Sequence, residues 1–234
     1  MLVERLQIGG RSFEFIRVAD PRVVLDRVIA AEAKGPPQRM PYWAEVWESA
    51  IAIGQWLVEA EGAGASGKGP AAERAQSLDA RPAAQHRRFS ARLSVLDLGC
   101  GMGLAGMVAA AVGHQVMFAD IETDALLFAE VNAWPWRAAA RFRRLNWQTD
   151  ALGERFDLIL GADVLYETGQ WEFLEPFWRR HLAAGGTVLL GEPRRPKAET
   201  FADWISRRGW VVQSAERFLV EQGKTIRLFS LRLQ

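Results

Sequence analysis

The sequence predicts an α/β fold in which helices cover both faces of a mostly parallel sheet. Two observations predict it. From residue 93 onward, short apolar stretches alternate with longer amphipathic stretches, a pattern typical of parallel strands joined by helices. The chain then continues with two consecutive strand patterns around Gln222-Gly223, which predict an antiparallel hairpin at the end of the sheet.

The elements of this core follow from the same alternation. Strands are expected at residues 93–98, 115–119, 141–145, 156–162, 187–190, 210–219 and 225–233. Helices are expected at residues 104–112, 122–132, 171–182 and 197–208.

The residues before the core form a small N-terminal extension. Residues 2–18 alternate around Gly9-Gly10, which indicates a hairpin. Asp20-Pro21 then begins a capped amphipathic helix. Apolar residues recur at helical spacing from Val46 to Leu57, which predicts a second helix.

A stretch rich in glycine and alanine separates this extension from the core. It contains no aromatic residue between Trp56 and Phe89, so we predict a flexible connector there. The expected boundaries are 1–58 for the N-terminal hairpin and helices, 59–92 for the connector and 93–234 for the core. Without the connector about 200 residues remain, which is the size of one domain.

Composition excludes several classes of function. The 29 Lys and Arg balance 28 Asp and Glu, so the chain lacks the basic field of a nucleic-acid binder, and no nucleic-acid partner is expected. One cysteine, Cys100, and three histidines leave no ligand set for a metal. The absence of a long apolar run and of a signal-peptide pattern predicts a cytoplasmic protein without a membrane partner.

The most specific motif joins a predicted strand to a predicted helix through alternating glycines, as Asp97-Leu98-Gly99-Cys100-Gly101-Met102-Gly103. Glycines there let the backbone pass close to a ligand, and the helix N-terminus offers free N–H groups, which together indicate a nucleotide-like ligand. Gly101-x-Gly103-x-x-Gly106 also satisfies the dinucleotide pattern, with Asp120 as the ribose-binding acid. Asp97 favours a ligand with a cationic amino group over a pyrophosphate.

This motif resembles the S-adenosylmethionine loop of class I methyltransferases. The resemblance implies a Rossmann-like sheet of seven strands, mostly parallel, with an antiparallel C-terminal strand, and makes residues 93–234 the cofactor-binding catalytic core. It also implies that Asp97 holds the methionine end, Asp120 the ribose hydroxyls and Ile121 one side of the adenine. The full set of cofactor-binding residues that it implies is Trp47, Asp97, Gly99, Cys100, Gly101, Gly103, Asp120, Ile121, Asn146, Trp147 and Asp163.

Three of these residues have alternative interpretations. Asp120 is also placed to cap the following helix, and the two roles are compatible. Trp147 is large enough to be a simple core residue. We interpret Cys100 as a small buried residue and not as a nucleophile, because no neighbour in the sequence would stabilise a thiolate.

The end of the fourth core strand, Gly161-Ala162-Asp163-Val164-Leu165-Tyr166, indicates the substrate class. In this fold, enzymes that methylate amino groups of nucleic acids carry Asn/Asp-Pro-Pro-Tyr/Phe there, and this chain has no proline at that place. Asp163-x-x-Tyr166 instead resembles the Asp/Glu-x-x-Tyr/Phe motif of the lysine methyltransferase branch. The resemblance implies that Asp163 and Tyr166 are catalytic and hold the acceptor amine; a helix cap and a packed ring are their alternative roles.

Two further segments are similar to that branch, especially to electron-transfer-flavoprotein β-subunit lysine methyltransferases and to bacterial proteins labelled predicted nicotinamide N-methylases. The segment from Pro41 to Trp47, PYWAEVW, is similar to Pro-Phe-Trp-x-x-x-Trp. Residues 191–195, GEPRR, are similar to Gly-Asp-Pro-Gly-Arg. The chain departs from these patterns at Tyr42, Glu192 and Arg194. Substrate contacts are expected from Trp43, Glu45, Glu192 and Arg194, the last adding a cation at the mouth of the site.

The resemblance therefore implies an S-adenosylmethionine-dependent N-methyltransferase that is monomeric, needs no metal and acts on lysine side chains of a protein. A small amine or a ring nitrogen is the alternative acceptor. A binding module without catalysis and a dinucleotide-binding protein are the remaining hypotheses.

Overall fold

The computed structural model of the chain describes residues 1–36, 39–65 and 92–234. Its strands are β1 (Leu2–Ile8), β2 (Arg11–Arg17), β3 (Ser94–Leu98), β4 (Gln115–Asp120), β5 (Ala140–Arg144), β6 (Phe156–Ala162), β7 (Leu182–Glu192), β8 (Trp210–Leu219) and β9 (Lys224–Leu233). Its α-helices are α1 (Pro21–Glu32), α2 (Glu48–Ala65), α3 (Leu104–Ala111), α4 (Thr123–Asn132), α5 (Thr168–His181) and α6 (Phe201–Ser206). Short 3-10 helices span Tyr42–Ala44, Trp134–Ala139 and Pro196–Thr200.

A seven-stranded sheet with the order β5-β4-β3-β6-β7-β9-β8 forms the centre of the described chain. The five strands from β5 to β7 are parallel, and β9 runs antiparallel between β7 and β8. Val95, Leu96 and Leu98 are almost completely buried, because helices cover both faces of the sheet. The predicted fold class, including the antiparallel terminal hairpin, is confirmed.

Within the core, β7 and the last helix depart most from the predicted boundaries. β7 begins at Leu182 and not at residue 187, because Leu182 already pairs with Phe156 on β6; the register then shifts, and pairing resumes at Thr187 opposite Leu158. The helix predicted over residues 197–208 divides into a 3-10 helix and the short helix α6.

The N-terminal extension forms the predicted hairpin and helix. β1 and β2 pair with Ile8 opposite Arg11, which leaves Gly9 and Gly10 as a two-residue turn with positive φ at both positions. The Asp20 side chain accepts a hydrogen bond from the Arg22 N–H and caps α1, of which no residue is fully buried.

Helix α2 extends beyond the point at which the connector was predicted to begin. Glu59 accepts hydrogen bonds of 2.6 and 2.7 Å from the Arg217 guanidinium on β8, and Ala60 is buried, so tertiary contacts hold these turns in place. The prediction of a flexible connector from residue 59 is therefore wrong for residues 59–65. Most of the predicted connector, residues 66–91, lies outside the described residues.

One buried amide joins the N-terminal hairpin to the glycine loop. The Asn132 side chain accepts a 2.7 Å hydrogen bond from the Ile16 N–H and donates 2.9 Å bonds to the carbonyls of Ile16 and Met102. Two of the bonds link β2 to α4 and the third links the loop to α4, so Asn132 holds β2 and the loop in a fixed relation.

We expect Asn132→Ala to lower the free energy of unfolding by about 2–3 kcal/mol, because it leaves buried backbone groups of Ile16 and Met102 without partners. Urea denaturation at neutral pH measures this loss. Glu130→Ala, at an exposed position of the same helix, is the control and should change stability by less than about 0.5 kcal/mol. Equal stabilities of the two variants would contradict the role assigned to Asn132.

Candidate active site

A cavity of about 600 Å³ lies at the carboxyl ends of the parallel strands. Its walls come from the turns after β3, β4, β5, β6 and β7 and from the segment that leads into α2. From β3 the sheet extends through β4 to β5 in one direction and through β6 to β7 in the other, so the order of the strands reverses beside β3. Ligands of α/β proteins bind at such a reversal. The volume is within the ~300–1,000 Å³ typical of small-molecule sites.

The turn after β3 forms the floor of the cavity. Gly99 and Gly101 have φ values of +68° and +52°, which side-chain-bearing residues rarely adopt. A Cβ on Gly99 would lie 3.3 Å from the Trp147 ring, so the loop and this ring pack closely. Gly103 has a different role, because a Cβ there would meet Ala129 at 2.8 Å; it allows close packing against α4 and does not line the cavity in the described structure.

Asp97 lies behind the loop and is not among the described residues that line the cavity. It is almost fully buried, and its Oδ2 accepts a 2.8 Å hydrogen bond from the Gly106 N–H in α3. Burial raises the pKa of Asp97 to about 7, against the lowering effect of the Gly106 bond. The Asp97 carboxylate thus fixes the start of α3, and its contact with the methionine end stays a prediction.

Asp120, at the end of β4, does line the cavity. Its Oδ2 accepts a 2.9 Å bond from the Gly101 N–H, and its Oδ1 accepts a 2.9 Å bond from the Glu122 N–H. Burial raises the pKa of Asp120, and these two bonds oppose the rise. Each oxygen keeps a lone pair for a ligand hydroxyl, so the turn-capping role and the ribose role are compatible.

The other residues implied for the cofactor lie around the same end. Ile121, Asn146 and Trp147 line the cavity. The Trp147 indole N–H donates a 3.1 Å bond to Gln170, which fixes the ring across the loop. Cys100 also lines the cavity, and burial, with Asp120 and Asp97 nearby, raises the pKa of its thiol well above the usual value. The structure thus gives Cys100 no thiolate character.

Asp163 and Tyr166 lie together at the opposite end. Asp163 is the first residue after β6 and has a left-handed backbone, with φ of +56°. Its N–H donates a 2.8 Å bond to the Gly191 carbonyl, and its carboxylate accepts bonds of 3.1 and 2.8 Å from Arg195. Burial and the neighbouring Glu167 raise the pKa of Tyr166, so its hydroxyl is protonated at neutral pH.

Aromatic residues of the N-terminal extension close this end. The Tyr42 ring lies 5.4 Å from the Tyr166 ring, and the Trp47 indole N–H donates a 2.8 Å bond to the Tyr42 carbonyl. Trp43 packs against Phe128, with ring centroids 5.8 Å apart, and also lines the cavity. Glu45 is exposed at its rim. The extension therefore completes the site although it is distant in sequence.

Two residues predicted as substrate contacts lie elsewhere. Glu192 is fully buried; its Oε2 accepts a 2.8 Å bond from the Arg195 N–H, and its Oε1 lies 3.2 Å from Arg227. Arg194 has a φ of +57°, and its exposed side chain pairs with Glu216 on β8 at 3.5 Å. Neither is among the described residues of the cavity wall, so the structure does not bring them together with the other predicted site residues.

Arg195 is the site residue that sequence reasoning missed. It lines the cavity, contacts Asp163 and lies over the Trp47 ring, 5.7 Å from its centroid. The sequence offered one signal, the arginine that closes the GEPRR segment, but only the backbone turn at Arg194 decides which of the two arginines faces the site.

Two features are absent from residues 1–36, 39–65 and 92–234. No group of three or more His, Cys, Asp and Glu side chains is arranged to hold a metal ion. Over the same residues, no helix combines the length and the apolar composition needed to cross a membrane.

The strand order, the glycine turn and the position of the cavity together define the class I methyltransferase fold. Solved structures agree. The glycopeptide N-methyltransferase MtfA, complexed with (S)-adenosyl-L-methionine, superposes with a TM-score of 0.55 at 16% identity, over 63% of this chain and 90% of that one.

The chain belongs to the lysine methyltransferase family, whose sequence profile matches residues 42–208. It is 32% identical over 130 residues to mouse EEF1A lysine methyltransferase 3, covering 53% of this chain and 56% of that protein. It is 38% identical over 107 residues to mouse protein N-lysine methyltransferase METTL21A, covering 42% of this chain and 47% of that protein. The chain thus spans about half the length of these curated relatives.

Asp97 provides a test of the loop geometry. Because its pKa is about 7 in the folded protein and 3.8 in a model peptide, the unfolded chain binds fewer protons between these values. Stability should therefore fall as pH rises through this window, by at most about 1.4 kcal/mol per pH unit. Asp97→Asn keeps an acceptor for Gly106 but has no proton to lose, so it should lack this fall.

Urea denaturation from pH 4.5 to 7.5 measures the effect. We expect the stability of the wild type relative to Asp97→Asn to decrease with pH. Asp26→Asn, at an exposed position of α1, is the control and should run parallel to the wild type. Parallel curves for Asp97→Asn as well would show that the Asp97 carboxyl does not titrate in this range.

Proposed function

We propose that this protein is an S-adenosylmethionine-dependent N-methyltransferase whose acceptor is a lysine side chain of another protein. The observation that carries the proposal is one cavity lined on one side of β3 by Asp120, which ends β4, and on the other side by Asp163 and Tyr166, which follow β6. Membership of the lysine methyltransferase family supports the same reaction.

The residues at the Asp120 end fit an adenosyl group. A carboxylate with free lone pairs suits the two hydroxyls of a ribose, and the rings and apolar side chains of Trp147, Ile121 and Leu145 suit a flat base. The glycine turn allows a ligand to approach the backbone closely. When bound, S-adenosylmethionine would supply a methyl group that its sulfonium already activates for transfer.

The residues at the other end fit an amine acceptor. Transfer requires a neutral nitrogen held in line with the methyl group, so orientation is the main task of the protein. The carboxylate of Asp163 has lone pairs left beside its bonds to Arg195 and can accept an amine N–H. The protonated Tyr166 hydroxyl is a second hydrogen-bonding group, and the proton lost by the amine passes to water at the rim.

Exposure of the rim favours a protein over a small molecule as the acceptor. Met40 and Tyr42 line the cavity and are 49% and 46% exposed. Glu45 and Glu167 are exposed beside them and suit a cationic side chain that enters from solvent. A small amine would need a covered site. The proposal places the reaction in the cytoplasm, a reducing compartment, in keeping with a single cysteine.

The acceptor is tested by incubating the protein with methyl-labelled S-adenosylmethionine and a cell lysate. We expect label in protein, recovered as methylated lysine after hydrolysis, because the rim is open to a protruding side chain. Label confined to small molecules would support the small-amine alternative. Absence of label together with absence of cofactor binding in calorimetry would overturn the proposal.

The two ends of the cavity should respond differently to substitution. Asp120→Asn should weaken S-adenosylmethionine binding by tenfold or more in calorimetry, because an amide cannot accept from two hydroxyls and two backbone N–H groups at once. Tyr166→Phe should leave that affinity within about twofold and lower turnover by about tenfold to a hundredfold. Thermal unfolding of both variants controls for loss of fold. An unchanged affinity in Asp120→Asn would remove this residue from the cofactor site.

A further inference from the structure

The acceptor end of the cavity contains a bidentate ion pair. Arg195 Nε and Nη2 lie 3.1 and 2.8 Å from the two carboxylate oxygens of Asp163. The Asp163 side chain is 5% exposed, whereas that of Arg195 is 37% exposed. Paired hydrogen bonds between two charged groups are stronger and more specific in geometry than single neutral bonds. The carboxylate expected to receive the substrate is thus already neutralised by this protein.

Arg195 is held at its backbone as well as at its side chain. Its N–H donates a 2.8 Å bond to the buried Glu192, which in turn lies 3.2 Å from Arg227. Its guanidinium lies over the Trp47 ring. Asp163 is fixed by its own N–H bond to the Gly191 carbonyl. Anchors at both partners make the pair a preorganised part of the site.

The pair changes which form of an amine the site stabilises. An unpaired buried carboxylate attracts an ammonium and raises its pKa, which keeps the lone pair occupied by a proton. A guanidinium on the same carboxylate cancels this attraction and repels a second cation. The lone pairs of Asp163 that Arg195 does not use remain able to accept an N–H from a neutral amine.

We propose that Arg195 is a positioning residue that neutralises Asp163, so that the site holds the acceptor amine in its unprotonated, reactive form. The inference rests on the proposed function, because it assigns a role within amine methylation. It goes beyond that function by explaining how the acceptor, which is a cation in water, is bound without its proton.

Six other titratable groups of the described residues lie near Asp163 and could affect the charge of a bound amine. They are Tyr42 and Glu45 before α2, Tyr166 and Glu167 after β6, and Glu192 and Lys197 after β7. Glu45, Glu167 and Lys197 are exposed at the rim, where solvent and salt screen their charge. Glu192 is paired with Arg227 and the Arg195 backbone, and Asp120 lies at the opposite end. Of the cations described on the cavity wall, Arg195 contacts Asp163 directly.

The pH dependence of turnover tests the proposal, with the unmethylated form of the protein that the lysate experiment identifies as the acceptor. Arg195→Gln keeps a hydrogen-bond donor but no charge, so the acidic limb of the kcat profile should move up by about 1 pH unit. At pH values on the acidic limb, where the rate falls with decreasing pH, the rate of Arg195→Gln should be about tenfold lower than that of the wild type. Arg195→Lys keeps the charge and should keep the limb in place. Arg141→Gln, which also removes an arginine from an exposed ion pair, is the matched control and should match the wild type.

Binding of n-butylamine, an analogue of the lysine side chain, gives a readout that needs no turnover. Tryptophan fluorescence follows this binding at pH 7, where the amine is cationic. Arg195→Gln should bind n-butylamine at least fivefold more tightly than the wild type does. The role of Arg195 would be overturned if the two proteins bound n-butylamine equally, or both undetectably, and the pH profile were unchanged. The proposed function would not be affected by that result. A wild type that labels no protein would instead overturn the proposed function, and this inference with it.

Discussion

The site depends on two buried carboxylates, of which one holds the glycine turn and the other holds the helix that follows it. Asp97 accepts the Gly106 N–H at 2.8 Å and fixes the start of α3, while Asp120 accepts the Gly101 N–H at 2.9 Å and fixes the turn itself. Burial raises the pKa of both groups, so the arrangement costs free energy of folding. Trp147 and the segment before α2 pack against the turn that these bonds hold.

The opposite end of the cavity is fixed by a different interaction, the ion pair between Asp163 and Arg195. Two turns, after β6 and after β7, meet there because their strands are neighbours in the sheet. Both turns contain a residue other than glycine with positive φ, Asp163 and Arg194. Strained backbone of this kind persists where surrounding bonds over-determine it, and it concentrates at functional sites. Here it directs one carboxylate and one guanidinium to the same point of the cavity.

Much of the fold could be predicted because its signals are local. β3, β4 and β6 are short apolar runs, and the glycines after β3 mark the turn without reference to any distant residue. The errors have a common cause. Helix α2 continues through Glu59 because Arg217 contacts it from β8, and β7 starts at Leu182 because β6 pairs with it. Both contacts join residues far apart in the chain, and local composition gives no sign of either.

The sequence by itself determined the class of fold, the ligand-binding turn and the residue types at both ends of the cavity, since strand periodicity, alternating glycines and the Asp163-x-x-Tyr166 spacing are local patterns. Only the tertiary structure decided which side chains face the cavity. It placed Asp97 behind the turn, directed Arg194 to the surface and brought Arg195 onto Asp163. The physical reason is that the direction of a side chain depends on backbone and side-chain dihedral angles, which tertiary packing fixes and composition does not.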